Sequence, residues 1–97
     1  MSINPPSSAA VVSLLALPRH HSARVVQVDD RMPNDRVSRR LRELGFVPGE
    51  TVSLVATGPV GADPVLIQVG YTRFALRRAE AERVRVQLLA PQQAQQQ

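Results

Sequence analysis

Few residues in this chain could do chemistry, and their types narrow what kind. His20 and His21 are the only histidines. Imidazole is a common transition-metal ligand. Neighbouring side chains of an extended segment point apart, so the pair alone does not chelate one ion. A working site would need further ligands, such as Glu50 or Asp63 or groups from a second chain. The candidate metal set is His20, His21 and Glu50, with iron or zinc as a weakly held ion. The competing reading is an exposed loop pair that captures zinc adventitiously. Among the carboxylates, Asp29 and Asp30 are adjacent and would diverge in a strand. Glu80 and Glu82 lie in a turn with Arg77, Arg78, Arg83 and Arg85 around them. That setting suits a structural ion-pair network, because nothing in the chain supplies a nucleophile or a bound cofactor. No cysteine is present, which removes disulfides, thiolate metal sites and cysteine catalysis. Phosphate-loop, dinucleotide and nucleophile-elbow patterns are also missing from the sequence. What remains is a binding module without an obligatory cofactor, not an enzyme.

The elements that must carry these residues are short. Arg24 to Val28 is β-branched and reads as a strand. Asn34 or Asp35 can cap a helix by accepting from its first orphan N–H groups. Val37, Leu41 and Leu44 then follow at spacings of four and three, on one helical face. Asp35 and Arg39 stand at i,i+4 with the acid N-terminal, the favourable order for a pair. Gly45 suits a left-handed stop, and Pro48-Gly49 suits a type II turn. Thr51 to Thr57 alternates as a strand, and residues 58–64 read as a loop. Val65, Ile67 and Val69 alternate again, and Gly70-Tyr71 reverses the chain. Thr72, Phe74 and Leu76 form the inward set of another strand. Arg77 to Glu82 is a short turn or a single helical turn, and Val84, Val86 and Leu88 belong to the last strand. About five mostly antiparallel strands with one short helix make a mainly β domain, a small barrel or partly open sandwich.

Charge marks the folded unit. The 97 residues carry 12 arginines, no lysine and 8 acids, all between Arg19 and Arg85. Residues 1–10 read as a flexible N-terminus, 11–89 as the domain and 90–97 as a disordered Gln-rich tail. The apolar run from Ala9 to Leu17 is too short to cross a bilayer. Its first basic residue follows it, so a signal peptide does not fit. The run reads as a lead-in packed on the domain, and the protein as cytoplasmic and not membrane-inserted. The net charge of +4 permits an acidic partner, but the interleaved acids make solubility the plainer reading. Phe46, Phe74 and Tyr71 are the only aromatics. They offer neither a stacking platform for nucleic acid nor a groove for proline-rich peptides, so no nucleic-acid partner is expected.

Three ordered stretches carry a family resemblance. Arg39-Arg40-Leu41-Arg42-Glu43-Leu44-Gly45-Phe46-Val47-Pro48-Gly49 resembles the R-L-x-E-L-G-[FLM]-x-P-G element of the FeoA family. Gly58-Pro59-Val60-Gly61 with Asp63-Pro64 resembles its A-P-x-G-D-P loop, lengthened by Ala62 and with Gly58 in the alanine position. Phe74 to Ala81 resembles its closing x-x-L-R-x-x-E-A element. His20 stands where the family usually has glycine. The resemblance spans about residues 14–88. It implies an SH3-like barrel and an accessory role in bacterial ferrous-iron uptake. The implied partner is the cytosolic GTP-binding portion of an FeoB-type transporter, met at the inner face of the membrane. On that reading Arg39, Arg40, Arg42, Val47 and Val60 are the candidate partner-binding residues. Val55 and Leu66 also fall on outward phases. A metal-responsive homodimer and a nucleic-acid-binding small barrel are the alternatives.

Overall fold

A computed structural model describes residues 10–89. The segments 1–9 and 90–97, where the sequence suggests loose ends, lie outside the described residues. Six strands form one antiparallel sheet: β1 Val11–Ser13, β2 Ser22–Val28, β3 Thr51–Val60, β4 Asp63–Val69, β5 Thr72–Leu76 and β6 Val84–Leu88. Their order is β1-β6-β2-β3-β4-β5, with β1 and β5 at the edges. The sheet therefore curls around its core without closing into a barrel. The extra strand is β1, within the run expected only to pack. Val11, Val12 and Ser13 pair with Gln87, Val86 and Arg85. A 3-10 turn over Leu14–Ala16 follows, capped by Ser13, whose Oγ accepts from Leu15 N. That turn drives Leu14 into the centre of the core, where it is fully buried. The apolar run has no period on which to divide strand from turn.

The fully buried core is aliphatic apart from Phe46, and the partly buried Phe74 packs beside it with ring centroids 6.4 Å apart. In β2 the inward set shifts phase, from Ala23 and Val25 to Val28. A register shift against β6 between Val25 and Gln27 causes this: one extra residue resets which side chains face inward.

Helix α1, Arg36–Leu44, is capped by Asp35, and not by Asn34. Asp35 Oδ1 accepts from Val37 N and Ser38 N at 3.0 and 3.3 Å. The helix buries Leu41 and half-buries Val37 and Leu44, the face set by their spacing. It stops at Gly45, whose φ is 118°. Phe46 N then donates back to Leu41 O at 3.1 Å, the backbone closure that a left-handed residue permits. A side chain at Gly45 would also press on Val69 Cγ1 at 3.3 Å. The Pro48-Gly49 turn closes as expected, with Glu50 N donating to Val47 O at 3.0 Å.

The β3–β4 connection departs from the sequence expectation. Residues 58–64 are no open loop. Strand β3 runs on to Val60, β4 begins at Asp63, and Val60 pairs with Asp63. Only Gly61 and Ala62 turn the chain, both at positive φ (64° and 59°), the conformation of the tight hairpin turns that match strand twist. A second short helix, α2 Arg78–Ala81, fills the turn read between β5 and β6. Glu80 Oε1 accepts from Arg77 N at 3.1 Å at its start.

Candidate partner surface

The region around α1 is organised by one carboxylate. Asp35 is 5% exposed and does more than cap its helix. Its Oδ2 accepts from Arg31 N at 2.8 Å and pairs with the largely buried Arg83 guanidinium. The Arg31, Ser38 and Val37 N–H groups and Arg83 together hold its pKa down to about 2, against the opposing effect of burial. So Asp35 ties the helix N-terminus to the chain just before β6. It is occupied in this way and makes no pair with Arg39, the i,i+4 partner that the spacing suggests.

Asp29 and Asp30 diverge as expected, each to a different arginine. Asp29 Oδ2 lies 2.7 Å from Arg85 Nε, and its Oδ1 accepts from Gln27 Nε2 at 3.0 Å. These two partners, the Gln27 amide first, lower its pKa. Asp30 accepts from the Ser38 hydroxyl and lies 2.9 Å from Arg42 Nη2, and Ser38 leads the lowering of its pKa. Arg42 also donates to Val28 O at 3.1 Å. These groups rim a shallow polar cleft of about 590 Å³, with Phe46 and Pro48 among its lining. Two aspartates and three arginines line it, and each arginine is answered: Arg85 by Asp29, Arg42 by Asp30 and Arg31 by Glu82. Glu80 and Glu82 do form ion pairs, but with Arg40 and Arg31, each at 3.5 Å, and not with the arginines flanking them in sequence.

The five residues singled out as partner contacts fall into two groups. Val47 lies in the turn before β3, near Arg42, and is 39% exposed. Val60 stands at the far end of the same strand and is 79% exposed. Ten residues of β3 separate the two ends, about 30 Å of strand. Arg40 belongs with the Val60 end: it lines a recess together with Pro64 and Arg77, and Pro64 follows the Asp63 that pairs with Val60. Arg39 is its exposed neighbour on α1. Val55 and Leu66 are half-buried.

The metal candidates do not converge within one chain. His20 and His21 are exposed on the connection between the 3-10 turn and β2. His20 takes φ 66°, and its N–H donates to Leu54 O at 2.8 Å. Glu50 immediately precedes β3, four residues before Leu54, or about 13 Å of strand. Among the described residues no three His, Asp or Glu side chains are grouped to hold a metal ion. A zinc site made of protein donors alone would need ligands from a second chain beside these histidines.

Two features were out of reach of sequence reading. The Asp35–Arg83 pair spans 48 residues, and no local spacing signals it. The recess of Arg40, Pro64, Ala75, Arg77 and Glu80 draws on α1, β4, β5 and α2. A run of arginines around Glu80 was its only trace.

Comparison with known proteins gives a consistent result. The FeoA domain model matches residues 12–88. The structure is similar to that of Stenotrophomonas maltophilia FeoA complexed with zinc, with 60% sequence identity and a TM-score of 0.71, covering 77% of this chain and 88% of that one. That relative is described as a procaryotic SH3 domain protein, with a suggested role as a bacterial ferrous iron transport activating factor. The FeoA protein of Chlorobium tepidum is 33% identical with a TM-score of 0.68, over 81% of this chain and 71% of that one. IdeR of T. acidophilum, 18% identical with a TM-score of 0.65 over 91% of this chain and 37% of that one, shares the fold. A comparison with curated proteins finds no match. The six-stranded, incompletely closed sheet is thus an SH3-like fold.

Proposed function

Because the chain belongs to the FeoA family, we propose that it is a regulatory accessory protein of bacterial ferrous-iron uptake. It acts by contact with the cytosolic GTP-binding portion of an FeoB-type transporter. The observation that carries this reading is the 60% identity to a protein with a suggested role as a ferrous iron transport activating factor. The geometry supports a binding role. Val60 projects at a hairpin tip with Arg40 bordering the recess beside Pro64, Val47 and Arg42 offer a second contact, and Arg39 stands exposed on α1. Exposed aliphatics mark partner sites, and arginines around them steer approach to an acidic face. Iron is the transporter's cargo here, not a resident cofactor, and the protein works in the cytoplasm, reaching the membrane through its partner. No helix among the described residues is long and apolar enough to cross a bilayer.

The direct test is calorimetry of the full chain with the transporter's cytosolic domain from the same organism. It is run with and without guanine nucleotide, in chelated buffer and then with ferrous iron. Saturable binding that weakens with added salt is the expected result. Absence of binding in every condition would overturn the reading.

A second reading has one observation in its favour: the relative was crystallised with zinc, and His20 and His21 stand exposed for a second chain to reach. On this reading the protein dimerises through a shared metal. Sedimentation with and without zinc checks it. A zinc-dependent dimer that persists after both histidines are changed to alanine would dispose of it.

A further inference from the structure

Two recesses on the outer side of the sheet meet at Pro64 and Ala75. The first is apolar, about 170 Å³, with Ala56, Gly58, Leu66 and Ala75 among its lining. The ladder explains its depth. Ala56 is paired with Leu66 and Leu66 with Ala75, so small side chains flank one leucine in a cross-strand row. Gly58 adds no side chain beside them. The second recess, about 420 Å³, is bounded by Arg40, Arg77 and Glu80 as well as the shared Pro64 and Ala75. Its charges are unequal. Glu80 is engaged by Arg40 at 3.5 Å and by Arg77 N at 3.1 Å. The Arg77 guanidinium forms no ion pair among the described residues, which leaves the recess one positive charge in excess. The combined groove is apolar at one end and cationic at the other.

The geometry points to this groove as the docking site for a short extended segment of a partner protein, with an aliphatic side chain one or two residues from a carboxylate. The aliphatic group would lie over Leu66 and Ala75, and the carboxylate would meet the Arg77 guanidinium, with Arg40 beside it. Guanidinium matches a carboxylate with two parallel hydrogen bonds, and the adjoining apolar recess takes the aliphatic side chain. Charge complementarity selects the occupant: a basic or uncharged segment leaves Arg77 unanswered. Concavity favours a peptide over a membrane, because a flat lipid surface would not enter either recess. The inference extends beyond the proposed role, because the occupant is defined by its chemistry and the groove holds whether or not the transporter supplies the segment.

The test uses the full chain and two synthetic peptides, acetyl-Ser-Leu-Val-Leu-Asp-Glu-Ser-amide and its twin with Asn and Gln in place of Asp and Glu. Binding is followed at low salt by amide chemical shifts. The acidic peptide should give saturable shifts clustered at Ala56, Gly58, Leu66, Ala75 and Arg77, and should bind about tenfold more tightly than its twin. Arg77→Gln should remove most of that preference while leaving the twin's binding unchanged. Ala75→Asp, at an exposed position that folding tolerates, should abolish binding of the acidic peptide. Equal binding of the two peptides, shifts mapping elsewhere or no binding would each overturn the proposal. So would phosphatidylglycerol vesicles perturbing the same residues where the acidic peptide does not, which would make this a lipid-facing surface.

Discussion

Replacing Gly58 with alanine tests the hairpin most sharply. Its φ is not left-handed, so backbone conformation is no obstacle. The obstacle is space. A Cβ at this position would stand 2.5 Å from Asp63 O, 2.8 Å from Asp63 C and 3.0 Å from Pro64 Cδ. Ordinary carbon–oxygen contacts begin near 3.3 Å, so the two strands must separate by roughly 0.8 Å. The neighbour is main chain, held by the Thr57–Val65 and Val60–Asp63 pairs on either side, and no flexible side chain can swing away. Overpacking of this kind costs about 1–3 kcal/mol. Alanine offsets about 0.4–1 kcal/mol of that by restricting the unfolded chain. The mid-range net loss is therefore about 1.3 kcal/mol, a fall in Tm of about 5–10 °C for a domain of this size.

Far-UV circular dichroism with heat and with urea measures it, the urea slope showing whether the compact state is otherwise kept. The origin of the contact is testable too. The family pattern has alanine before the proline and one residue fewer in the turn. We attribute the crowding to the inserted Ala62, which carries β4 back against β3 one residue later. Deleting Ala62 should then relieve the penalty of Gly58→Ala, with a coupling above about 0.5 kcal/mol in a double-mutant cycle. A Tm for Gly58→Ala within about 2 °C of the parent would refute the contact. An equal penalty in both backgrounds would refute the link to Ala62.

Three further outcomes are expected. Leu14→Ala should destabilise by about 3 kcal/mol, the range for a fully buried leucine; denaturant unfolding measures it, and a loss under ~1 kcal/mol would mean that the β1 segment does not complete the core. Asp35 has a folded pKa near 2 below an unfolded value of about 3.9. Its stabilisation is therefore complete above about pH 4 and lost as pH falls towards 2; Asp35→Asn should flatten that acid limb of Tm against pH, and an unchanged limb would sink the assignment. Val60→Asp should leave the Tm within about 2 °C, because the side chain is exposed, yet weaken binding to the transporter's cytosolic domain at least tenfold by calorimetry. Parental affinity would remove the hairpin tip from the interface.

What the sequence made legible was local. The spacing of Val37, Leu41 and Leu44, the stop at Gly45 and the turn at Pro48-Gly49 are short-range signals, and each element formed where its residues called for it. The β3–β4 connection reads as a loop in the sequence because Gly, Pro and Asp usually punctuate loops. Here Gly58 serves a close approach between strands, while Gly61 and Ala62 alone make the turn. Strand β1 was hidden for a different reason. Its pairing with β6 joins Val11 to Gln87, and no nearby residue reports a contact so distant in the chain.

The same distinction governs the candidate surface. Exposure is a local property, and Val47 and Val60 were legible as outward residues. Whether they belong to one site depends on β3, and β3 puts its whole length between them. A single compact partner segment therefore engages one end or the other. The Val60 end has the stronger case. There Arg40 and Arg77 border a recess with a charge to spare, whereas at the Val47 end Arg42, Arg85 and Arg31 are already answered by Asp30, Asp29 and Glu82. A partner carboxylate at the Val47 end would have to displace an existing pair before gaining anything. At the Val60 end it would meet a guanidinium that has no ion pair among the described residues, so a mutational scan of the interface should find its largest losses at Val60, Arg40 and Arg77.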